Sequence, residues 1–205
     1  MLENNYQEIS ELKKDLLEAF RLRIENSELI SNISLEVLAS DVKSDIELIY
    51  SVVNDIDGLI LYWFDEQISE IFIGLVEEFS DDTNASTKEK ITETLMSILE
   101  TFANKRQLIH NVYQRALRDV KFSFLLLNFL QNMCDRILAI SGDKKQDMPI
   151  PMLLRSARVK GLIGVLIKII PVWLKDNSED LSVTYREIDQ SLHTASEWAE
   201  SLRVI

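Results

Sequence analysis

Three side chains of this 205-residue chain could act as nucleophile, general base or soft metal ligand: His110, His193 and Cys134. Nucleophilic catalysis needs a base within hydrogen-bond reach of the nucleophile, and a metal centre needs several ligands converging on one point. The two histidines fall on different expected helices, with no cysteine or carboxylate partner at ligand spacing. Cys134, in "QNMCDR", sits on a helix rich in Phe and Leu, where a thiol is expected to be buried and inert. No Gly-rich phosphate loop, nucleophile elbow or HExxH pattern occurs. The chain is therefore not expected to be an enzyme, and neither a metal nor a cofactor is expected.

Binding chemistry is better represented. The run "KFSFLLLNFLQNM" (121–133) offers Phe122, Phe124, Phe129 and Met133, with Phe102 upstream, as lining for an apolar ligand pocket. Arg115, Arg118 and Lys121 form one basic strip, and Arg155, Arg158 and Lys160 a second. Either suits an acidic partner or anionic lipid heads, or offsets the acidic N-terminal half within the monomer or dimer. The stretch "VKSDIELIYSVVNDIDGLI" (42–60) is laid out as a turn, a short helix, an Asp-rich break and a longer helix. That is the plan of a helix-turn-helix, with Val42, Ile46, Ile49, Tyr50 and Val53 expected to face inward. Lys43, Ser44, Tyr50 and Ser51 are its candidates for contact with DNA. It carries Asp45 and Glu47, however, and no base after Lys43.

These residues need helices to position them, and the composition supplies helices. Glycine and proline are few, 5 and 3, and the prolines all lie between 149 and 171, so long helices are favoured over short strands. Ile9, Leu12, Leu16, Leu17, Phe20 and Ile24 mark one face of a helix over 6–25. Ser34 is placed to cap a short helix over 34–40, and a second short helix spans 45–53. A long helix from Ile56 to Phe79 has apolar residues wider than one stripe and is expected to be buried on two sides. Polar "SDDTNAST" (80–87) precedes a helix to Phe102. Helices over 105–119 and 121–141, the loop "SGDKKQDMP" (141–149), a helix from Pro151 to Lys175 and a last helix from Asp180 to Leu202, capped by Ser178, complete the chain. No strand signal appears. The expectation is an all-α protein of about nine helices: a three-helix head over 1–56 and a larger helical domain over 57–205.

The net charge is −12, unevenly spread. Residues 1–60 hold 5 Lys/Arg against 13 Asp/Glu, while 105–175 hold 13 against 4. Phosphate contacts supply most non-specific affinity for DNA, so DNA as a partner is disfavoured by the acidic head. The longest apolar run, Gly161 to Leu174, falls short of the roughly 20 residues that span a bilayer and contains Lys168 and Pro171, so no transmembrane segment is expected. A polar, acidic N-terminus unlike a secretory signal, and a single cysteine, lead to a cytoplasmic expectation.

In this order the pieces resemble the TetR family of transcriptional regulators. "LLEAF" (16–20), "ISLEVLAS" (33–40), "LIY" (48–50) and "DIDGLILYWF" (55–64) stand where that family has its first helix, its second, the end of its recognition helix and the start of its fourth. "VWLKDNSEDLSVTYREIDQSLHTASEWAESL" (172–202) is similar to the last two helices of a bacterial subgroup, joined at a W-L-x-D-x-S-x-D corner. The resemblance implies a homodimer through the last two helices and a mostly apolar ligand pocket. Gly161 and Gly164 would then allow close helix approach, with Trp173, Leu192 and Trp198 at or near the interface. The reading end departs from the pattern: Lys43 replaces the turn glycine, Ser51, Val52 and Val53 follow Tyr50, and "NDIDG" lacks the helix-opening Lys that clamps a phosphate. A second family with this fold and corner, the ubiquinone-biosynthesis accessory proteins, binds isoprenoid lipid instead of DNA, and the acidic head resembles its degenerate one.

Overall fold

The computed structural model describes residues 2–26, 30–82, 84–142 and 152–201, with side chains at 9–24, 26, 30, 32–82, 84–142 and 157–197. Among them are nine α-helices and no strand: α1 (Leu2–Glu25), α2 (Leu35–Asp41), α3 (Ile46–Val52), α4 (Ile56–Asp81), α5 (Thr87–Thr101), α6 (Arg106–Ala116), α7 (Val120–Ile140), α8 (Met152–Trp173) and α9 (Ser182–Ser201). The expected all-α class is thus found. Packing divides the chain into two compact units. One comprises Met1–Gln67 with Gln107–Leu125, the other Ile68–Arg106 with Leu126–Ile205. The head expected over 1–56 lies inside the first.

In the first unit α1, α2 and α3 pack on one another. Leu16, Leu17, Phe20 and Ile24 of α1 are buried, as their spacing requires, along with Leu35, Leu38 and Ile49. The α4 residues Leu59, Ile60, Trp63 and Phe64 complete this core. Phe20 meets Trp63 edge-on at 6.0 Å between ring centroids, and Trp63 meets Phe64 at 5.2 Å. Ser34 caps α2 as expected, its hydroxyl accepting from the Val37 amide at 3.3 Å.

The end of α2 is a Schellman motif: the Ser44 amide reaches Ala39 O at 3.0 Å and the Lys43 amide reaches Ser40 O at 3.3 Å. Such a motif needs a left-handed residue after the cap, and Lys43 adopts it with φ 53°. A side chain there costs about 1 kcal/mol. Lys43→Gly should therefore raise the thermal midpoint, by up to ~1 kcal/mol of stability, less the entropy glycine adds to the unfolded chain. A lowered midpoint would mean that the lysine makes a contact worth more than the strain. Arg23 of α1 holds the end of α2 just before this turn, with two bonds of 2.6 and 2.9 Å to the Asp41 carboxylate. Those bonds hold the Asp41 carboxyl below its ordinary range.

Asp45 caps α3 by accepting from the Glu47 amide at 2.9 Å. Ile49 and Val53 face inward, and Val42 and Ile46 are half-buried. Tyr50 does not face inward: it is 49% exposed and donates its hydroxyl to Glu36 Oε1 at 3.0 Å. On a helix of seven residues only one narrow face can be covered, and Ile49 takes it.

In the second unit α8 and α9 form the most extensive helix pair, and α5 packs on α9. Ile163, Leu166, Ile169 and Trp173 of α8, with Ile188 and Leu192 of α9, are buried. Several expected boundaries shift. α6 ends at Ala116, not 119, because Asp119 turns out of the helix to cap α7, accepting from the Phe122 amide at 3.1 Å. α4 is covered on one broad face only, with Ile73 and Val76 exposed at 68% and 47%. Pro171 sits inside α8 within two residues of its end, where it cannot donate to the carbonyl of Ile167 one turn back. The expected start of that helix at Pro151 lies outside the described residues.

Candidate functional site

The four residues assigned to DNA contact share the turn and α3. Lys43 and Ser51 are exposed and Ser44 is half-buried. The Ser51 hydroxyl donates back to Leu48 O at 2.6 Å, and the Tyr50 hydroxyl is engaged by Glu36. The Glu36 carboxyl is held below its usual range by bonds from Ser34, from its own amide and from Tyr50, while the same carboxylate pushes the Tyr50 hydroxyl up. Asp45 and Glu47 are also exposed, and Leu48 stands 50% exposed between them. The outer face of α2 and α3 thus presents carboxylates and two apolar groups around a single ammonium. An approaching phosphate would be repelled by three of these groups and attracted by one.

A charged cluster joins the start of α4 to α6 and α7. Asp55 accepts from the Gly58 amide at 2.9 Å, capping α4, and from Lys121 Nζ at 3.0 Å. The Gly58 amide and the neighbouring cations keep its carboxyl low despite partial burial. Asp57 is 6% exposed, with Oδ1 2.7 Å from Arg115 Nη2 but off the hydrogen-bonding direction. Burial pushes its carboxyl up and Arg115 opposes the shift. The Arg115 guanidinium also lies 4.9 Å from the Phe122 ring. Two members of the basic strip therefore pair with two carboxylates of the acidic N-terminal half inside the monomer. Sequence spacing did not pair them, since the partners are 58 and 66 residues apart.

The pocket candidates fall in both units. Phe122 is buried in the first, and Phe124 there is 65% exposed. In the second, Phe102 and Met133 are buried and Phe129 is half-buried. Beside Met133, Cys134 is fully buried, and burial with the charge of Asp135 pushes its thiol up to about 12, so no thiolate forms near neutral pH. Two depressions are lined by other residues. One, of about 180 Å³, lies between Lys14, Glu18, Arg21 and Trp63. The other, of about 580 Å³, is walled by Glu89, Glu93, Glu100, Met96, Tyr185 and Asp189, with Lys88 bridging to Asp189 at 2.5 Å. His193 does have a carboxylate neighbour, contrary to expectation: Nε2 lies 3.3 Å from Glu197, one helical turn on.

Of the interface candidates, Gly161 and Gly164 have open space where a Cβ would stand, and Gly164 is exposed. Nearby Ile167 is 53% exposed. Leu192 is 9% exposed, and Trp173 is fully buried beneath the Arg106 guanidinium, 5.1 Å from its ring. The side chain of Trp198 lies outside the described residues. The corner joining α8 to α9 is organised by Asp176, not by Ser178 acting as a cap. Asp176 Oδ2 accepts from the Thr184 amide at 2.8 Å and hydroxyl at 2.7 Å, and Oδ1 accepts from the Ser178 amide at 3.0 Å and hydroxyl. Arg106 donates to the Asp176 carbonyl, and Asp180 accepts from the Ser182 amide at 3.1 Å. No protein-family model matches this chain, and no curated protein matches it.

Proposed function

We propose that this chain is a TetR-like, homodimeric, ligand-responsive transcriptional regulator with an atypical acidic reading head. The observation that carries the reading is the α2–turn–α3 unit. It is closed by a Schellman turn on left-handed Lys43 and packed on α1, with Tyr50 and Ser51 left on the outside. The α8–α9 hairpin, with glycines 161 and 164 free of neighbours, supplies the pairing surface of the two-fold dimer. In this reading Lys43, Ser44, Tyr50 and Ser51 meet DNA, and the apolar ligand acts by changing the spacing of two heads. With one ammonium per head, affinity for DNA falls only shallowly with salt. Fluorescence polarisation with promoter fragments at low salt should give binding that Lys43→Glu weakens about tenfold. Silence across all genomic fragments, the chain's own promoter included, would remove the regulator reading.

A second reading is favoured by the carboxylates Glu36, Asp45 and Glu47 on that same face: a TetR-like, lipid-binding accessory protein with a vestigial head, related to those of ubiquinone biosynthesis. Native mass spectrometry would separate the two. A co-purifying isoprenoid or acyl lipid, together with absent DNA binding, selects the accessory protein, whereas an apo protein that binds its promoter selects the regulator.

A further inference from the structure

The stretch "IFIGLV" (71–76) makes α4 apolar all the way round, over about one and two-thirds turns. A helix that is apolar on every side is one that is covered on every side. Here Phe72 and Leu75 are buried and Ile71 is half-buried, but Ile73 is 68% exposed, Val76 is 47% exposed, and Gly74 is exposed as well. A Cβ at Gly74 would meet nothing within 4 Å. Glycine inside a helix is destabilising against alanine, and no neighbour among the described residues requires it here. Carboxylates border this open side. Glu70 and Glu77 stand one turn before and one turn after Ile73, Glu78 and Asp81 follow, and each of them is exposed. Along its whole length α4 holds no Lys or Arg. Lys90 and Arg136 reach this part of α4 from other helices, and both are committed: Lys90 to the carbonyls of Phe79 and Asp82, Arg136 to the Ser69 hydroxyl and over the Phe72 ring. Burial, together with the charges of Glu78 and Asp82, raises the carboxyl of Glu93.

We propose that the open side of α4 over 70–78 docks a basic amphipathic helix of another protein. The apolar stripe of that helix covers Ile73 and Val76, its backbone passes close to Gly74, and its cations meet Glu70, Glu77 and Glu78. Charge decides the occupant. A second copy seated face to face would set these carboxylates against their own kind, and an anionic bilayer would meet the same repulsion. A helix with Lys or Arg beside its apolar stripe finds opposite charge at both ends of the apolar patch. Gly74 has a use in that arrangement, because a residue without a side chain lets a second backbone approach closely. The surface is small, so the association is weak and reversible. It uses none of the residues assigned to DNA, ligand or dimer contact, and it holds under either reading of the head.

The test is fluorescence anisotropy of a labelled Leu–Lys peptide, patterned as an amphipathic helix, titrated with the full chain. A Leu–Glu peptide of the same pattern is its counterpart. The first should bind at low salt and the second should not. Ile73→Ser should weaken binding about tenfold, and Glu77→Lys severalfold while flattening the salt dependence. Gly74→Leu should weaken binding while raising the thermal midpoint, since leucine is the better helix former, so that loss cannot come from a folding defect. Glu47→Lys makes the same change of charge on α3 and should leave the affinity nearly unchanged. The proposal is overturned by no binding of the Leu–Lys peptide, by equal losses for Glu47→Lys and Glu77→Lys, or by indifference to both Ile73→Ser and Gly74→Leu. A smaller oligomer for Ile73→Ser in sedimentation velocity also overturns it and assigns the face to a second copy.

Discussion

Asp176→Ala is expected to lower the unfolding free energy by about 3 kcal/mol at neutral pH. One nearly buried carboxylate there satisfies four donors: the amide and hydroxyl of Ser178 and the amide and hydroxyl of Thr184. The Thr184 amide belongs to the first turn of α9, which has no helical acceptor of its own, so Asp176 caps α9 from eight residues away. Alanine leaves that amide buried without a partner, and this costs more than the bond contributed. The corner is also strained. Leu181 stands in the left-handed region with φ 50° while its side chain is buried, and the Asp176 clasp helps to hold it there. Urea unfolding of wild type and variant measures the difference. A loss under about 1 kcal/mol would show that water replaces the carboxylate readily.

The loss has a predictable dependence on pH. Burial raises the Asp176 carboxyl, but the bonds from Ser178 and Thr184 lower it by more, so it lies well below the ordinary carboxylate range. A depressed carboxyl stabilises the fold fully above its unfolded pKa of about 3.9, and the contribution fades as pH falls through that value towards the folded one. The gap between wild type and Asp176→Ala should therefore be constant from neutral pH to about 5 and shrink below it. A gap indifferent to acid would mean that the charge of Asp176 does not hold the corner.

Much of the helical order was legible in the chain because it rests on local rules. The burial of Leu16, Leu17, Phe20 and Ile24 follows from helical spacing. Ser34 follows from the preference of hydroxyls for helix starts, and the loop after α4 from its polar composition. The turn after α2 was harder, because glycine is the usual signal for a left-handed residue and Lys43 takes that conformation without it. Periodicity says which residues share a face and not whether anything covers it. Tyr50, Val76 and Phe124 all continue apolar rows, yet they are exposed. The head's charge balance was legible as a sum, whereas the pairing of Asp57 with Arg115 and Asp55 with Lys121 depends on the tertiary fold. His193 and Glu197 could have been paired from their four-residue spacing alone.

Lys90→Ala is expected to cost about 3 kcal/mol and Lys90→Met about 2 kcal/mol, the difference being the packing of the side-chain stem. Lys90 is 9% exposed, a rare position for a lysine, and its ammonium donates to Phe79 O at 2.8 Å and Asp82 O at 2.7 Å. Those carbonyls lie at the end of α4, where the helix has exhausted its own donors and where the last turn holds no basic residue. A cation from α5 supplies both the missing bonds and the positive charge that the helix dipole favours there. The α5 start that carries Lys90 is itself fixed by the reciprocal bonds of Ser86 and Glu89, at 3.2 and 2.7 Å, so the ammonium is delivered to a set place. The same charge offsets a crowd of carboxylates. The Glu93 carboxyl is raised by burial and by Glu78 and Asp82, and Lys90 opposes that shift. With Lys90 gone, these acids repel one another without a counter-ion. A carboxyl raised in the fold destabilises it when ionised and ceases to do so as pH falls below the folded pKa. The deficit of Lys90→Met should therefore be largest at neutral pH and shrink on acidification towards pH ~4. A methionine variant as stable as wild type at neutral pH would show that apolar packing alone closes α4, and that the buried ammonium contributes nothing to the fold.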